Sequence, residues 1–257
     1  MTSLITGASS GIGEELAKLA ARDKHDLVLV ARSADKLHAL AEALAREHGI
    51  RATALPEDLA DPNSVDAIVD VLAARGIDVD ILINNAGFGT YGPFIQTSLA
   101  EERDLIAVNV MAPMLLMKRL VPRMVARGRG RVLNVASTAA FQPGPLMAVY
   151  YASKAFVLSL SEAVANELEG TGVTVTCLCP GPTRTGFQSR ARMQQSGLFK
   201  FFGVMDAASA ARAGYDGMMA GRTVVVPGVL NKIVIQSLRV SPRSLVTKIV
   251  HTIQKSR

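Results

Sequence analysis

The chain has 257 residues, of which 49% are hydrophobic and 19% charged, and its formal net charge is +6. This length and apolar content can bury a large core in one domain or at most two, and the low charged fraction excludes a disordered chain or a coiled coil. The positive charge is concentrated at one end, because residues 229–257 contain six Lys or Arg and no Asp or Glu, whereas residues 1–228 are electrically balanced. We therefore expect no nucleic-acid-binding face on the main body.

Several features predict a cytoplasmic protein without a metal. Cys177 and Cys179 alternate on one face of a predicted strand, where a disulfide between them is sterically poor, so we interpret them as buried thiols of a reducing compartment. The four histidines are scattered, and no metal site is expected from their spacing. We also expect no secretory signal and no membrane span, since no uninterrupted apolar run reaches roughly 18 residues.

Taken in order, the chain alternates apolar strands with helices. The predicted strands span residues 4–6, 27–31, 51–59, 81–87, 131–137 and 173–179, with a final strand near 223–228. The predicted helices span residues 14–23, 36–49, 63–76, 100–127 and 153–168. This alternation is typical of an α/β fold, and it predicts a doubly wound parallel sheet of Rossmann type in a single domain. Ligands of such sheets bind beyond the carboxyl ends of the strands.

A glycine-rich loop lies at the first such end. Its spacing, G-x-x-x-G-x-G, allows the backbone to turn tightly and approach a pyrophosphate, which then sits on the free N–H groups of the following helix. The alternative is a plain glycine-rich turn, but the position between a strand and a helix favours phosphate binding. The predicted loop residues are Gly7, Ser9, Ser10, Gly11, Ile12 and Gly13.

The ends of the second and third strands bear on the choice of cofactor. An acid that would bind the ribose hydroxyls is replaced by Arg32, whose guanidinium suits a 2′-phosphate and favours NADP(H) over NAD(H). The alternative is a solvated loop arginine. Asp58, followed by Leu59, is expected to accept a hydrogen bond from the adenine amino group; its alternative role, with Asp61, is helix capping.

Further polar residues follow the later strands. Asn85, Ala86 and Gly87 are expected to border the cofactor ribose, and residues 180–185, with Pro180, Gly181, Thr183 and Thr185, to meet the nicotinamide carboxamide. Asn109 interrupts an apolar run of the long helix, where a buried amide must find partners. Simple hydrogen bonding within the core is the alternative interpretation of Asn109.

Tyr150 and Lys154 stand at the head of a predicted helix. Side chains at this i, i+4 spacing share one helix face. A phenol ionises near pH 10, and a nearby ammonium moves its pKa toward the range that acid–base catalysis needs. Such pairs also arise by chance, but Ser137 closes the fifth strand shortly before the pair, and the polar clusters at the other strand ends support a shared site.

Together these motifs resemble the short-chain dehydrogenase/reductase family. The matching elements are TGxxxGxG at 6–13, NNAG at 84–87, Asn109, Ser137, YxxxK at 150–154 and PG at 180–181. The resemblance covers roughly residues 1–185 and the final strand. The segments around NNAG, YxxxK and PG are further similar to a bacterial subgroup described as DltE-like short-chain dehydrogenases.

The resemblance implies a role for each matching residue. Tyr150, rather than its neighbour Tyr151, is the general acid that protonates the carbonyl oxygen during reduction, or the base in the reverse direction. Lys154 lowers the pKa of Tyr150 and holds the nicotinamide ribose. Ser137 hydrogen-bonds the substrate oxygen. Asn109 holds a water that passes protons to Lys154.

The substrate prediction depends on large apolar residues in three loops that surround the substrate in this family. A mainly apolar ketone or secondary alcohol follows, with a 3-oxoacyl thioester and a lipophilic, steroid-like ketone as competing possibilities. Packing of the loops against one another is the alternative, and a nonenzymatic NADP-binding sensor or regulatory protein is the rival function. The residues are Phe88, Tyr91, Phe94, Phe141, Met147 and Phe187.

Two expectations concern domains and partners. Residues 1–228 are expected to form the catalytic domain, with a variable lid at about 186–222, and residues 229–257 a basic amphipathic extension that starts its second helix at Ser241-Pro242. The extension packs over the cleft or a sister subunit, or lies on an anionic membrane surface.

The helices at 100–127 and 153–168 are apolar on more than one face, which predicts a homodimer or homotetramer.

Overall fold

The computed structural model describes residues 1–184 and 204–255, apart from the side chain of Arg239. The strands of the central sheet are β1 (Thr2–Thr6), β2 (Asp26–Ala31), β3 (Ala52–Pro56), β4 (Ile81–Asn84), β5 (Gly130–Val135), β6 (Val173–Leu178) and β9 (Val224–Val225). A separate short pair joins β7 (Thr183–Arg184) to β8 (Met205–Asp206). The central sheet is parallel, and its seven strands lie in the order β3-β2-β1-β4-β5-β6-β9. The predicted Rossmann-type α/β fold is therefore confirmed.

Helices cover both faces of the sheet. They are α1 (Gly11–Arg22), α2 (Ala34–His48), α3 (Ser64–Ala74), α4 (Leu99–Ile106), α5 (Ala112–Ala126), α6 (Ala148–Glu167), α7 (Ala207–Met219), α8 (Val229–Val240) and α9 (Arg243–Gln254). The long helix predicted at 100–127 is present, but a π-helical turn at Ala107–Met111 divides it into α4 and α5. Asn109 lies in that turn.

Two hydrophobic layers flank the sheet because alternate strand residues point to opposite faces. Leu4 and Leu82 belong to the layer under α3 and α5, whereas their neighbours Ile5 and Ile83 belong to the layer under α1, α2 and α7. All four side chains are fully buried. Strands buried on both faces explain the continuous apolar runs in the sequence. The strand order reverses between β1 and β4, which opens a crevice at the carboxyl edge of the sheet.

Burial in the fold accounts for two features of the sequence, which are a long apolar helical stretch and a pair of free cysteines. Leu99–Ala126 is long and apolar enough, by length and composition, to cross a membrane, but 44% of its most apolar window is buried inside the fold. A core helix passes the same test of length and composition, so the stretch is equally consistent with a helix of the core. Cys177 and Cys179 are buried free thiols with sulfur atoms 3.8 Å apart, as predicted from their alternation.

The C-terminal helices pack on the loops beside the crevice. Val246 and Val250 of α9 form a buried cluster with Met147 and Tyr151. The expected N-cap role of Ser241 is wrong: the Ser241 hydroxyl instead donates to the Ser237 carbonyl at the end of α8, and α9 begins after Pro242.

Candidate active site

The crevice at the carboxyl edge of the sheet holds a cavity of about 410 Å³. The loops that follow β1, β2, β3, β4, β5 and β6 meet there with the first turns of α6 and with α8. Most of the residues predicted from the sequence as site residues line this one cavity. They are Gly7, Ser9, Ser10, Gly11, Ile12, Arg32, Asp58, Leu59, Asn85, Ala86, Gly87, Ser137, Met147, Tyr150, Lys154, Pro180, Gly181 and Thr183.

The glycine-rich loop forms a tight cradle at one end of the cavity. Gly7 has φ +65, and a Cβ atom on it would lie 2.8 Å from the Cα of Ala86. A Cβ atom on Gly13 would lie 2.3 Å from the Gly7 carbonyl oxygen, so this glycine permits close packing of α1 on the loop rather than lining the cavity. Because α1 begins at Gly11, its free N–H groups face the cavity end. These features fit the pyrophosphate of a dinucleotide.

Thr6 and Asn85 tie the loop after β1 to the loop after β4. The Thr6 hydroxyl oxygen accepts hydrogen bonds from the backbone N–H groups of Asn85 and Ala86 at 3.0 and 3.1 Å. The Asn85 side-chain amide donates to the carbonyls of Thr6 and Gly7 at 3.0 and 3.2 Å. The role of Thr6 was missed in the sequence, although the residue opens the glycine motif and its hydroxyl was a usable signal.

Arg32 and Asp58 form the opposite rim of the same cavity end. A guanidinium nitrogen of Arg32 lies 3.8 Å from a carboxylate oxygen of Asp58, and both side chains are half exposed. Asp58 also accepts a hydrogen bond from the backbone N–H of Ala60 at 3.1 Å, as a turn-capping acid does. Arg32 is therefore accessible to a ligand group of negative charge. The capping role left as the alternative for Asp58 appears here as a turn hydrogen bond, and its contact with adenine stays a prediction.

Ser137, Tyr150 and Lys154 come together in the middle of the cavity. A side-chain hydrogen bond joins Tyr150 to Ser137. Ser137 is itself fixed, since its hydroxyl oxygen accepts from the Ala139 N–H at 3.1 Å. The Lys154 side chain is only 5% exposed, donates to the Val135 carbonyl at 2.9 Å, and holds its ammonium 5.8 Å from the centre of the Tyr150 ring.

The surroundings shift the pKa values of Tyr150 and Lys154 in opposite directions. Burial raises the pKa of Tyr150 to about 12, and the hydrogen bond with Ser137 acts against this rise. Burial lowers the pKa of Lys154 to about 8. At neutral pH the phenol is therefore protonated and the lysine mostly charged. The sequence predicted that Lys154 lowers the pKa of Tyr150. In the protein without bound cofactor, desolvation instead raises this pKa, and Lys154 is not among the groups that shift it.

Asn109 connects the loop after β4 to α6 through hydrogen bonds. Its side-chain oxygen accepts from the Phe88 N–H at 3.1 Å, and its amide donates to the Phe88 carbonyl at 2.9 Å and to the Ser153 hydroxyl at 3.1 Å. These bonds match the core hydrogen bonding that the sequence left as the alternative. They join the loop after β4 to α6, next to Lys154. The role of Asn109 in holding a water stays a prediction.

The large apolar residues predicted to contact substrate divide into different environments. Met147 lines the cavity, but Phe88 is buried in the core layer under α5, and Phe141 packs against a separate buried cluster. Phe94 is 67% exposed, away from the cavity lining. Tyr91 packs beside Met147 and donates its hydroxyl to the Gln254 carbonyl. Thr185 and Phe187 lie outside the described residues.

Helix α8 supplies cavity residues that the sequence analysis missed. Asn231 approaches the loop after β6 so closely that a Cβ atom on Gly181 would lie 2.7 Å from the Asn231 amide nitrogen. The apolar stripe of α8 was recognised in the sequence, but its contact with this cavity depends on tertiary packing. The lining residues that α8 supplies are Asn231, Val234, Ile235 and Leu238.

Comparison with known proteins identifies relatives of this chain. The family profile described as "short chain dehydrogenase" matches residues 1–196. A Nostoc protein, ketoacyl reductase HetN, is 35% identical over 213 residues, which cover 82% of this chain and 73% of that protein. The very-long-chain 3-oxoacyl-CoA reductase of Phaeosphaeria nodorum is 41% identical over 184 residues, or 68% of this chain and 52% of that one. The chain thus spans about half the length of this second relative.

One solved structure is similar over nearly the whole chain. A short-chain dehydrogenase from Sphingobium yanoikuyae in complex with NADPH is 36% identical, with a TM-score of 0.84 over 95% of this chain and 94% of that one.

Proposed function

This chain belongs to the short-chain dehydrogenase family of NAD(P)-dependent oxidoreductases, and we propose that it reduces a mainly apolar ketone with NADPH. The observation that supports this most is the joint arrangement of Ser137, Tyr150 and Lys154 around the cavity that the glycine-rich loop closes at one end. The reverse reaction, oxidation of a secondary alcohol, uses the same groups with the proton moving in the opposite direction.

The cofactor would lie along the cavity from Arg32 to Lys154. The cradle at Gly7 and the N-terminus of α1 suit its pyrophosphate, and the nicotinamide, when bound, would supply the hydride to the carbonyl carbon. Tyr150 then gives its hydroxyl proton to the carbonyl oxygen, while Ser137 orients that oxygen. Lys154, close behind the Tyr150 ring, stabilises the phenolate that remains.

NADP preference depends on the accessible guanidinium of Arg32. A 2′-phosphate would gain a charge-assisted hydrogen bond there, whereas the plain ribose hydroxyls of NAD would not. The only acids among the described cavity residues, Glu57 and Asp58, also lie at this end, and Asp58 is already near Arg32. The NADPH-bound structure with 36% identity supports the same preference.

A 3-oxoacyl thioester is the substrate class that we favour. Both sequence relatives described above are named as reductases of oxoacyl substrates. Part of the cavity wall is apolar because Val234, Ile235 and Leu238 of α8 line it together with Met147, which suits an acyl chain.

A spectrophotometric screen tests the proposal. NADPH absorbance is followed with 3-oxoacyl thioesters of increasing chain length and with bulky ketones that lack a thioester. We expect turnover that prefers the long-chain thioesters and that disappears in Tyr150→Phe. Tight NADPH binding without turnover of any carbonyl would instead favour the sensor or regulatory function.

The oligomeric state is a further part of the proposal. Ile106, Met111 and Phe156 are 37%, 43% and 38% exposed on the helical stretch 99–126 and on α6. These apolar side chains support a homodimer or homotetramer formed through those helices, as predicted from the sequence.

A further inference from the structure

The outer faces of α8 and α9 carry exposed apolar side chains. Leu230 and Ile233 of α8 are 56% and 61% exposed, and Leu245 and Ile249 of α9 are 51% and 50% exposed. In each helix the two residues are three or four positions apart, so they form one stripe. Exposed stripes of this kind usually mark a contact surface.

Basic side chains flank the two stripes. Lys232 and Lys248 are exposed on the same helices, Arg243 is exposed at the start of α9, and Lys255 is exposed directly after its end. Residues 229–257 contain six Lys or Arg and no acid, whereas the rest of the chain is electrically balanced. The surface therefore combines apolar side chains with a positive charge, and this segment contains no acidic residue that would neutralise it.

A neighbouring face of α8 lines the cavity. Ile235 is buried, and Val234 and Leu238 stand beside it on the cavity wall. One helix thus has an inner face on the substrate side of the cavity and an outer face that is apolar and basic. Each of the two helices has 12 residues, or about 18 Å of length, too short for the roughly 30 Å of a bilayer core.

We propose that α8 and α9 dock the protein in the plane of an anionic phospholipid membrane. The exposed stripe enters the headgroup region while the lysines meet the lipid phosphates. The docked face is the outer side of the cavity wall, so an apolar substrate dissolved in the membrane reaches the site without crossing water. This last step rests on the proposed function, whereas docking itself does not. A second copy of the chain is disfavoured as the occupant because the two basic surfaces repel each other.

Vesicle sedimentation tests the docking directly. The full-length protein, without cofactor or substrate, is mixed with phosphatidylcholine vesicles that contain or lack phosphatidylglycerol. We expect sedimentation with the anionic vesicles that weakens as salt rises. The double variant Lys232→Glu/Lys248→Glu should lose at least about tenfold in vesicle affinity, and Leu230→Ser/Ile233→Ser should lose a comparable amount.

Arg46→Glu/Arg75→Glu is the matched control, because it changes net charge equally at exposed positions of the main body. This control should bind vesicles almost as the wild type does, and NADPH titration verifies that every variant is folded. Equal loss in the control, or equal binding to neutral vesicles, overturns the proposal. So does a fall in mass by light scattering for Leu230→Ser/Ile233→Ser, which assigns the surface to a second copy. Vesicle binding without carbonyl turnover leaves docking intact and refutes only the proposed enzyme activity.

Discussion

At the scale of single residues, two adjacent tyrosines provide the sharpest comparison. Tyr150 is hydrogen-bonded to Ser137, whereas the hydroxyl of Tyr151 accepts from the Gln254 amide at 2.6 Å. We expect Tyr150→Phe to lose nearly all turnover while it still binds NADPH, because only the proton-donating oxygen is removed. Tyr151→Phe should keep most of its activity. The opposite pattern in steady-state rates would refute the assignment of the general acid.

We propose that cofactor preference depends on Arg32. A charged hydrogen bond with phosphate contributes about 1.5–3 kcal/mol, or roughly a tenfold to hundredfold change in affinity, and the half-exposed position of Arg32 places the effect at the lower end. We expect Arg32→Ala to weaken NADPH binding by about tenfold and NADH binding little. Fluorescence titration with both cofactors measures this, and equal weakening would contradict the role.

The pKa values predict the pH dependence of carbonyl reduction. Because burial lowers the pKa of Lys154 to about 8, the ammonium loses its charge as pH rises through that value. Tyr150, with a pKa raised to about 12, remains protonated there. The reduction rate at saturating NADPH should therefore fall above pH about 8 because the phenolate left by proton transfer is no longer stabilised. NADPH binding measured over the same range is the control, and a flat rate profile would contradict the prediction.

At the scale of secondary-structure elements, one buried polar side chain adds hydrogen bonding to the apolar packing of α9 beside the site. Gln254 is fully buried, donates to the Tyr151 hydroxyl, and accepts from the Tyr91 hydroxyl through its backbone carbonyl. Gln254→Leu leaves a buried hydroxyl without its donor, which should cost about 1–3 kcal/mol of unfolding free energy.

A double-mutant cycle separates this bond from general packing. In Gln254→Leu/Tyr151→Phe both partners are apolar, so we expect the double variant to be more stable than the sum of the two single losses predicts. Urea unfolding of all four proteins measures the coupling. Strictly additive losses would mean that the hydrogen bond does not attach α9 to α6.

At the scale of the whole molecule, oligomerisation remains a prediction. The exposed apolar side chains of the stretch 99–126 and of α6 should be covered by a second copy. Light scattering at micromolar concentration should give the mass of a dimer or tetramer, and Phe156→Glu should reduce it because a charge would be buried in the interface. A monomer in the wild-type protein would refute the prediction.

Much of the fold and site follows from local pattern. Apolar runs separated by amphipathic helices specify a parallel sheet, since strands buried on both faces have no polar positions. Polar residues at strand ends then meet at one edge, so sequence order and spacing could predict that Gly7, Ser137, Tyr150 and Lys154 share one cavity. Their roles stay predictions.

Only the tertiary structure shows which apolar side chains are buried in the core and which line the cavity. Phe88 and Met147 both follow strand-end motifs, yet Phe88 is buried under α5 and Met147 lines the cavity. Tertiary packing also places α8 beside that cavity, and it buries Lys154 away from water. Spacing along a chain determines which face of an element a residue occupies, but what that face meets depends on how distant elements pack, and burial and pKa follow only from that packing.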